Sequence, residues 1–213
     1  MKSKFLRTKF IAEVCSNHNR DLKRALKFVD FAKKQGFYAV KFQLFKIDQL
    51  FSKDAKKLFK SALKKTKREL PRDFIPKISN YCRIKKIKFS CTPFDLSAVE
   101  YLKKYVDFYK IASYEMAWPD LLKSCAKTRK PVILSTGMSN LSEVKKSFKI
   151  LKKNKCKKIS LLHCVSSYPA STMSCNLNSI KFLKNRFNCE VGWSDHTVNE
   201  LLVYSAVNRQ NAD

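Results

Sequence analysis

Pro131-Val132-Ile133-Leu134-Ser135-Thr136-Gly137-Met138, followed closely by the amphipathic stretch Leu141–Lys153, is one beat of a pattern that fills the chain. Val132–Ser135 is short, apolar and β-branched, and reads as a buried strand. Leu141–Lys153 places its apolar residues at spacings of three and four and reads as a helix, with Ser142 as the capping residue near its start. The same alternation continues in both directions. Strands are expected at Phe10–Val14, Ala39–Gln43, Lys88–Cys91, Phe108–Ile111, Val132–Ser135, Ser160–His163 and Val191–Trp193. Helices are expected at Leu22–Gln35, Phe74–Ile84, Leu96–Lys104, Trp118–Lys127, Leu141–Lys153, Leu177–Phe187 and Glu200–Val207, with Asp95 capping the third. The first helix puts Leu22, Ala25, Leu26, Val29 and Ala32 on one face. Strand alternating with helix implies βαβ units and a parallel sheet. A doubly wound sheet and a barrel both satisfy that pattern. Seven units in order with no second pattern favour the α/β class and a (β/α)8 TIM barrel with seven of its eight units, in one domain over 1–213. A barrel of this kind takes about 250 residues, and this chain has 213.

The balance of 45 Lys and Arg against 17 Asp and Glu gives a net charge of +28. Such an excess points to anionic partners or to a solvated lysine-rich surface. The second is favoured, because Lys23, Lys27, Lys33, Lys34, Lys103, Lys104, Lys145 and Lys146 fall on polar helix faces with few arginines. Cys15, Cys82, Cys91, Cys125, Cys156, Cys164, Cys175 and Cys189 form no C-x-x-C pair, which excludes zinc-ribbon and thioredoxin-like readings. They are expected as free, mostly buried thiols in a reduced, cytoplasmic protein. Met1 to Arg7 is basic with no long apolar run after it, and no stretch reaches membrane-spanning length. No membrane or nucleic-acid partner is expected. Phe45 to Leu70 interrupts the rhythm with Lys53, Lys56, Lys57, Lys60, Lys64, Lys65, Lys67 and Arg68, as a long loop after the second strand. It reads either as an active-site loop or as a basic disordered one.

In a barrel, polar residues at the C-terminal ends of strands carry binding and chemistry. These are Glu13 with Cys15-Ser16-Asn17-His18-Asn19, then Lys41 and Gln43, Thr92, Lys110 with Ser113 and Glu115, Ser135-Thr136-Gly137, His163 with Ser166 and Tyr168, and Ser194-Asp195-His196. Lysine is rarely buried unless paired. Two inward lysines among Ser and Thr hydroxyls therefore suggest a bound phosphate or carboxylate. A Schiff-base lysine is the alternative and ranks lower. Asp195-His196 suits a divalent metal but needs a second ligand. With no G-x-S-x-G, G-x-G-x-x-G or Walker pattern, serine-nucleophile and glycine-loop readings fail.

Taken together, these stretches resemble the sialic acid synthase family, which makes nonulosonic acids. The matching motifs are Ile11-Ala12-Glu13 with Asn17-His18-Asn19, Val40-Lys41-Phe42-Gln43, Cys91-Thr92-Pro93-Phe94-Asp95 and Tyr109-Lys110-Ile111-Ala112-Ser113. Pro131 to Met138, Leu161-Leu162-His163-Cys164 with Tyr168-Pro169, and Gly192-Trp193-Ser194-Asp195-His196-Thr197 complete the set. The resemblance implies condensation of phosphoenolpyruvate with an N-acylated amino sugar such as N-acetylmannosamine, with release of phosphate. It implies that Lys41, Thr92, Lys110, Ser113, Ser135, Ser166, Tyr168 and Ser194 hold phosphoenolpyruvate. Glu13, Lys41 and Lys110 would take the catalytic roles, Glu13 by assisting proton transfer. His196 would be one of two histidine ligands to Mn²⁺ or Mg²⁺, and members of the family form homodimers.

The chain departs from the family pattern at Arg20 and Tyr114, where glycine is usual, and at Ser166, where asparagine is usual. The aromatic at 114 leans toward relatives using bacillosamine-like or pseudaminic-type sugars. The resemblance further implies that the eighth strand, with the second metal histidine, and a C-terminal antifreeze-like domain are absent, leaving an incomplete barrel. Three rivals follow: an inactive remnant, a basic RNA-binding or scaffold protein, and another phosphoenolpyruvate-dependent barrel synthase.

Overall fold

The computed structural model describes residues 8–50, 52, 54, 57 and 68–213. Among them are seven strands: β1 (Ile11–Cys15), β2 (Ala39–Leu44), β3 (Lys88–Pro93), β4 (Phe108–Ile111), β5 (Val132–Ser135), β6 (Ile159–Cys164) and β7 (Glu190–Ser194). The helices are α1 (Leu22–Lys34), α2 (Ile47–Leu50), α3 (Phe74–Ile84), α4 (Leu96–Leu102), α5 (Pro119–Lys127), α6 (Leu141–Lys153), α7 (Asn178–Phe187) and α8 (Glu200–Gln210), with a 3₁₀ turn at Thr172–Ser174. Strand order follows chain order, which is the βα succession that the sequence leads one to expect. The chain divides into two compact units, Phe10–Tyr109 and Lys110–Asp213, the latter including the residues up to Lys9. Lys53, Lys56, Lys60, Lys64, Lys65 and Lys67 of the basic insertion lie outside the described residues, as does Met1 to Arg7.

In the first unit β1, β2 and β3 pair in parallel, with Glu13 opposite Lys41 and Lys41 opposite Ser90. Strand alternation puts Val40 and Phe42 on one face and Lys41 and Gln43 on the other. The first pair is fully buried, with Phe42 packed 6.1 Å from Phe89. α1 buries Ala25, Val29 and Ala32, and α3 buries Ile75, Ile78 and Cys82. Asp21 caps α1 by accepting from the Arg24 amide at 3.2 Å, and Asp95 caps α4 by accepting from Ala98 at 2.7 Å.

In the second unit β5, β6 and β7 pair in parallel, with Ser135 opposite Leu162 and Cys164 opposite Ser194. α6 starts with a capping box: Asn140 accepts from the Glu143 amide at 3.0 Å and Glu143 accepts from the Asn140 amide at 2.8 Å. Asn140, not the expected Ser142, is therefore the cap, because the helix opens one residue before the serine and its third position is glutamate. Glu190 at the start of β7 accepts from Lys9 at 2.7 Å, Lys158 at 2.5 Å and Ser160 at 3.2 Å. Burial pushes its carboxyl up, but these two ammonium groups outweigh that and bring it down to about 2. All eight cysteines are free and five are buried, as the absence of paired spacing implies. Lys23, Lys27, Lys33, Lys34, Lys103, Lys104, Lys145 and Lys146 are all exposed, which is the solvated surface favoured above.

Candidate active site

The first unit brings Glu13, Lys41 and Thr92 together. Lys41 is only 3% exposed, yet its ammonium is paired with the Glu13 carboxylate and donates to Thr92 Oγ1 at 3.3 Å. That pairing explains how a lysine can sit inside a strand, since an unpaired buried ammonium is costly. Thr92 is fully buried, and Glu13 keeps a 40% exposed side chain. Nearby at the end of β1, the Cys15 thiol meets Gln43 Oε1 at 3.1 Å. His18 is fully buried, with Nδ1 accepting from the Arg20 amide at 3.0 Å and Nε2 without a partner. Burial, aided by the Arg20 charge, lowers its pKa and keeps the ring neutral.

The second unit gathers a larger set. Lys110 at the end of β4 donates to Ser194 Oγ at 2.9 Å. Ser113 Oγ accepts from the Gly137 amide at 3.1 Å. Ser135 is 1% exposed, and its Oγ has no partner. Ser166 Oγ lies 4.0 Å from the Cys164 thiol. Ser135, Ser166 and Ser194 lie at or just after the ends of β5, β6 and β7, whose parallel register puts those C-terminal ends on one side.

His196 follows β7. Its Nδ1 lies 2.7 Å from the Val165 carbonyl and 3.8 Å from Cys164 Sγ, and the Tyr168 ring packs against it, tilted by 33°, at 4.1 Å between centroids. The Val165 contact needs a proton on Nδ1, so Nε2 is the nitrogen left to act as a ligand. Burial pulls the His196 pKa down, but its contacts with Cys164 and the Val165 carbonyl carry it above the usual value. Burial conversely pushes the Cys164 thiol up, while His196, Ser113 and Lys110 hold it at about 7. Mn²⁺ or Mg²⁺ needs several ligands, and among the described residues no group of three or more His, Cys, Asp or Glu side chains could hold a metal ion. Among the described residues His196 is a single candidate ligand, and a cation would need others beside it.

Of the remaining histidines, His163 is satisfied by the Cys175 carbonyl at 2.6 Å, the role expected of a lone strand histidine. Tyr168 is 70% exposed, and its place is on the His196 ring. Glu115 is among the strand-end polar residues that the sequence marks as candidates for binding or chemistry. Burial raises its carboxyl to about 7, partly offset by its own backbone amide, and Oε2 is buried with no partner.

The architecture and these side chains define a parallel βα-repeat protein whose strand ends present lysines and hydroxyls. Residues 28–209 match the NeuB family model. The chain belongs to the NeuB family, as the motif resemblance implied. It is 43% identical over 194 residues to the uncharacterised protein MJ1065 of Methanocaldococcus jannaschii, covering 90% of this chain and 56% of that one. It is 37% identical over 204 residues to the N,N'-diacetyllegionaminic acid synthase of Campylobacter jejuni, covering 90% and 61%. A crystal structure of N-acetylneuraminic acid (sialic acid) synthetase from Leptospira borgpetersenii in complex with citrate superposes with a TM-score of 0.89 at 33% identity, covering 96% of this chain and 70% of that one. The chain thus spans little more than half the length of the curated relatives it matches.

Proposed function

We propose that this chain carries phosphoenolpyruvate-binding machinery of a nonulosonic acid synthase, which joins phosphoenolpyruvate to an N-acylated amino sugar and releases phosphate. The observation that carries the reading is the direction of the hydrogen bonds. Ser194, Ser113 and Thr92 each accept from an N–H of Lys110, Gly137 and Lys41 respectively. Each N–H fixes the oxygen of its hydroxyl in place, the Ser113 hydroxyl also bonding the Cys164 thiol, and a hydroxyl so placed can turn its proton to an incoming anion. Ser135 adds a fourth hydroxyl with no protein partner. Donors of this kind, beside lysines, suit a substrate bearing a carboxylate and a phosphate.

In the reaction, C3 of phosphoenolpyruvate attacks the aldehyde carbon of the open-chain sugar, and the C2 cation that develops takes up water. The resulting tetrahedral intermediate expels phosphate, and the water's proton must leave. Lys110, Ser113, Ser135, Ser166 and Ser194 hold the anion in position and offset its charge. Taken by itself, the first unit offers a donor pair of the same kind in Lys41 and Thr92, and Glu13, exposed beside Lys41, carries a carboxylate able to move a proton. The names of the relatives support an N-acylated amino sugar as the acceptor. A divalent cation, when bound, would take His196 Nε2 as one ligand and supply Lewis acidity to the aldehyde.

Titration calorimetry with phosphoenolpyruvate tests the reading. The wild-type chain is expected to bind it, and Lys110→Ala and Ser194→Ala should each lose about 10- to 100-fold in affinity, the worth of one hydrogen bond to a charged group. Equal binding by wild type and both variants would sink the assignment. Phosphate release with N-acetylmannosamine and with 2,4-diacetamido sugars then sorts the acceptors.

A further inference from the structure

Gly137 stands where the Ser113 and Ser166 hydroxyls come together, and nothing in its backbone demands glycine. Its φ lies outside the left-handed region, unlike that of Met138 beside it at 58°. What excludes a side chain is space. A Cβ on Gly137 would lie 2.6 Å from Ser166 Oγ, 2.9 Å from Ser113 Oγ and 3.1 Å from the Cys164 carbonyl oxygen. The first two distances are shorter than packed atoms tolerate, and both neighbours are hydroxyls on short side chains that can rotate away. The third is backbone and needs to yield only a few tenths of an ångström. A methyl group here would therefore leave the fold in place and move the two hydroxyls.

We propose that Gly137 is a positioning residue of the anion site, holding Ser113 and Ser166 at their working separation by the side chain it lacks and orienting Ser113 through its amide. This rests on the anion-binding reading above. The amide accounts for the second part: the Gly137 N–H donated to Ser113 Oγ fixes where that oxygen sits. Displacing the oxygen breaks that bond and leaves the hydroxyl without a fixed place, which costs affinity for an anion and little stability.

The test is a double-mutant cycle on Gly137→Ala and Ser166→Ala, read by calorimetric titration of phosphoenolpyruvate and of inorganic phosphate, with melting temperatures alongside. Gly137→Ala is expected to weaken phosphoenolpyruvate binding by about tenfold or more. In the Ser166→Ala background the same change should cost at least about threefold less, because the closer of the two displaced hydroxyls is gone while Ser113 Oγ remains 2.9 Å from the added Cβ. Equal losses in both backgrounds, or wild-type affinity in Gly137→Ala, would overturn the inference while leaving the anion site standing. Failure of the wild-type chain to bind either anion would overturn the anion site itself. Should Gly137→Ala alone not fold, adding it to a Ser113→Ala/Ser166→Ala background, where both crowded hydroxyls are gone, decides the matter: a difference of no more than about threefold supports the spacing role, and a loss of tenfold or more refutes it.

Discussion

Glu115 shows how one residue can work against its own protein. Its carboxyl titrates at about 7 in the folded chain against an ordinary 4.5. Between those values the folded state keeps a proton that the unfolded state has released, so stability falls as pH rises through that window and levels off above it. Glu115→Gln removes the penalty. Thermal melts should therefore find the variant more stable than wild type at pH 8, by about 1–3 kcal/mol, and indistinguishable from it near pH 4. A variant less stable at pH 8 would mean the ionised carboxylate has a favourable role. Residue identity was legible in the sequence here, and the titration behaviour was not, because it depends on burial. The same holds for Cys164, whose thiol is pushed up by burial and brought down by His196, Ser113 and Lys110, all distant in sequence and next to it only once the chain has folded.

At the scale of elements the sequence was a good guide. Every expected strand is present, with ends displaced by a residue or two, as at Phe10–Val14 against Ile11–Cys15. Period-two alternation and short β-branched runs are local properties, so they survive folding. Ile47–Leu50 escaped notice because four residues carry no helical periodicity. The α6 cap was misplaced by two residues, since Ser142 is as good a capping type as Asn140 and only the reciprocal bond with Glu143 tells them apart. Asn140→Ala removes the half of that box made by its side chain and leaves the Glu143 carboxylate on the backbone amide. It should cost about 1 kcal/mol and lower the melting temperature by about 2–4 °C, measured by calorimetry. Ser142→Ala should do neither, and a larger effect from Ser142 would return the cap to the residue first expected.

The whole molecule is dominated by its charge. At +28, like-charged pairs outnumber opposite ones, and compaction brings them closer. Raising ionic strength from about 0.02 M to about 0.3 M shortens the Debye length to well under the size of the protein. The melting temperature is therefore expected to rise with salt. A fall would show that the ion pairs, such as those of Glu190 with Lys9 and Lys158, outweigh the general repulsion. No helix among the described residues is long and apolar enough to cross a membrane.

Two hydrogen bonds near the chain start have a consequence for synthesis. Lys9 reaches Glu190, and Thr8 Oγ1 donates to the Ala212 carbonyl at 3.2 Å across 204 positions. The unit that closes these bonds contains the earliest described residues and the latest. On a ribosome adding about 5–20 residues per second, Thr8 and Lys9 would wait on the order of 10–40 s for their partners. Phe10–Tyr109 is contiguous in sequence and is fully synthesised before the later part of the other unit. The nascent protein would thus pass through a stage with one unit fully synthesised and an adjoining N-terminal segment unclasped. That interval is when a chaperone holding the segment would most help, and when a stalled ribosome would do most harm.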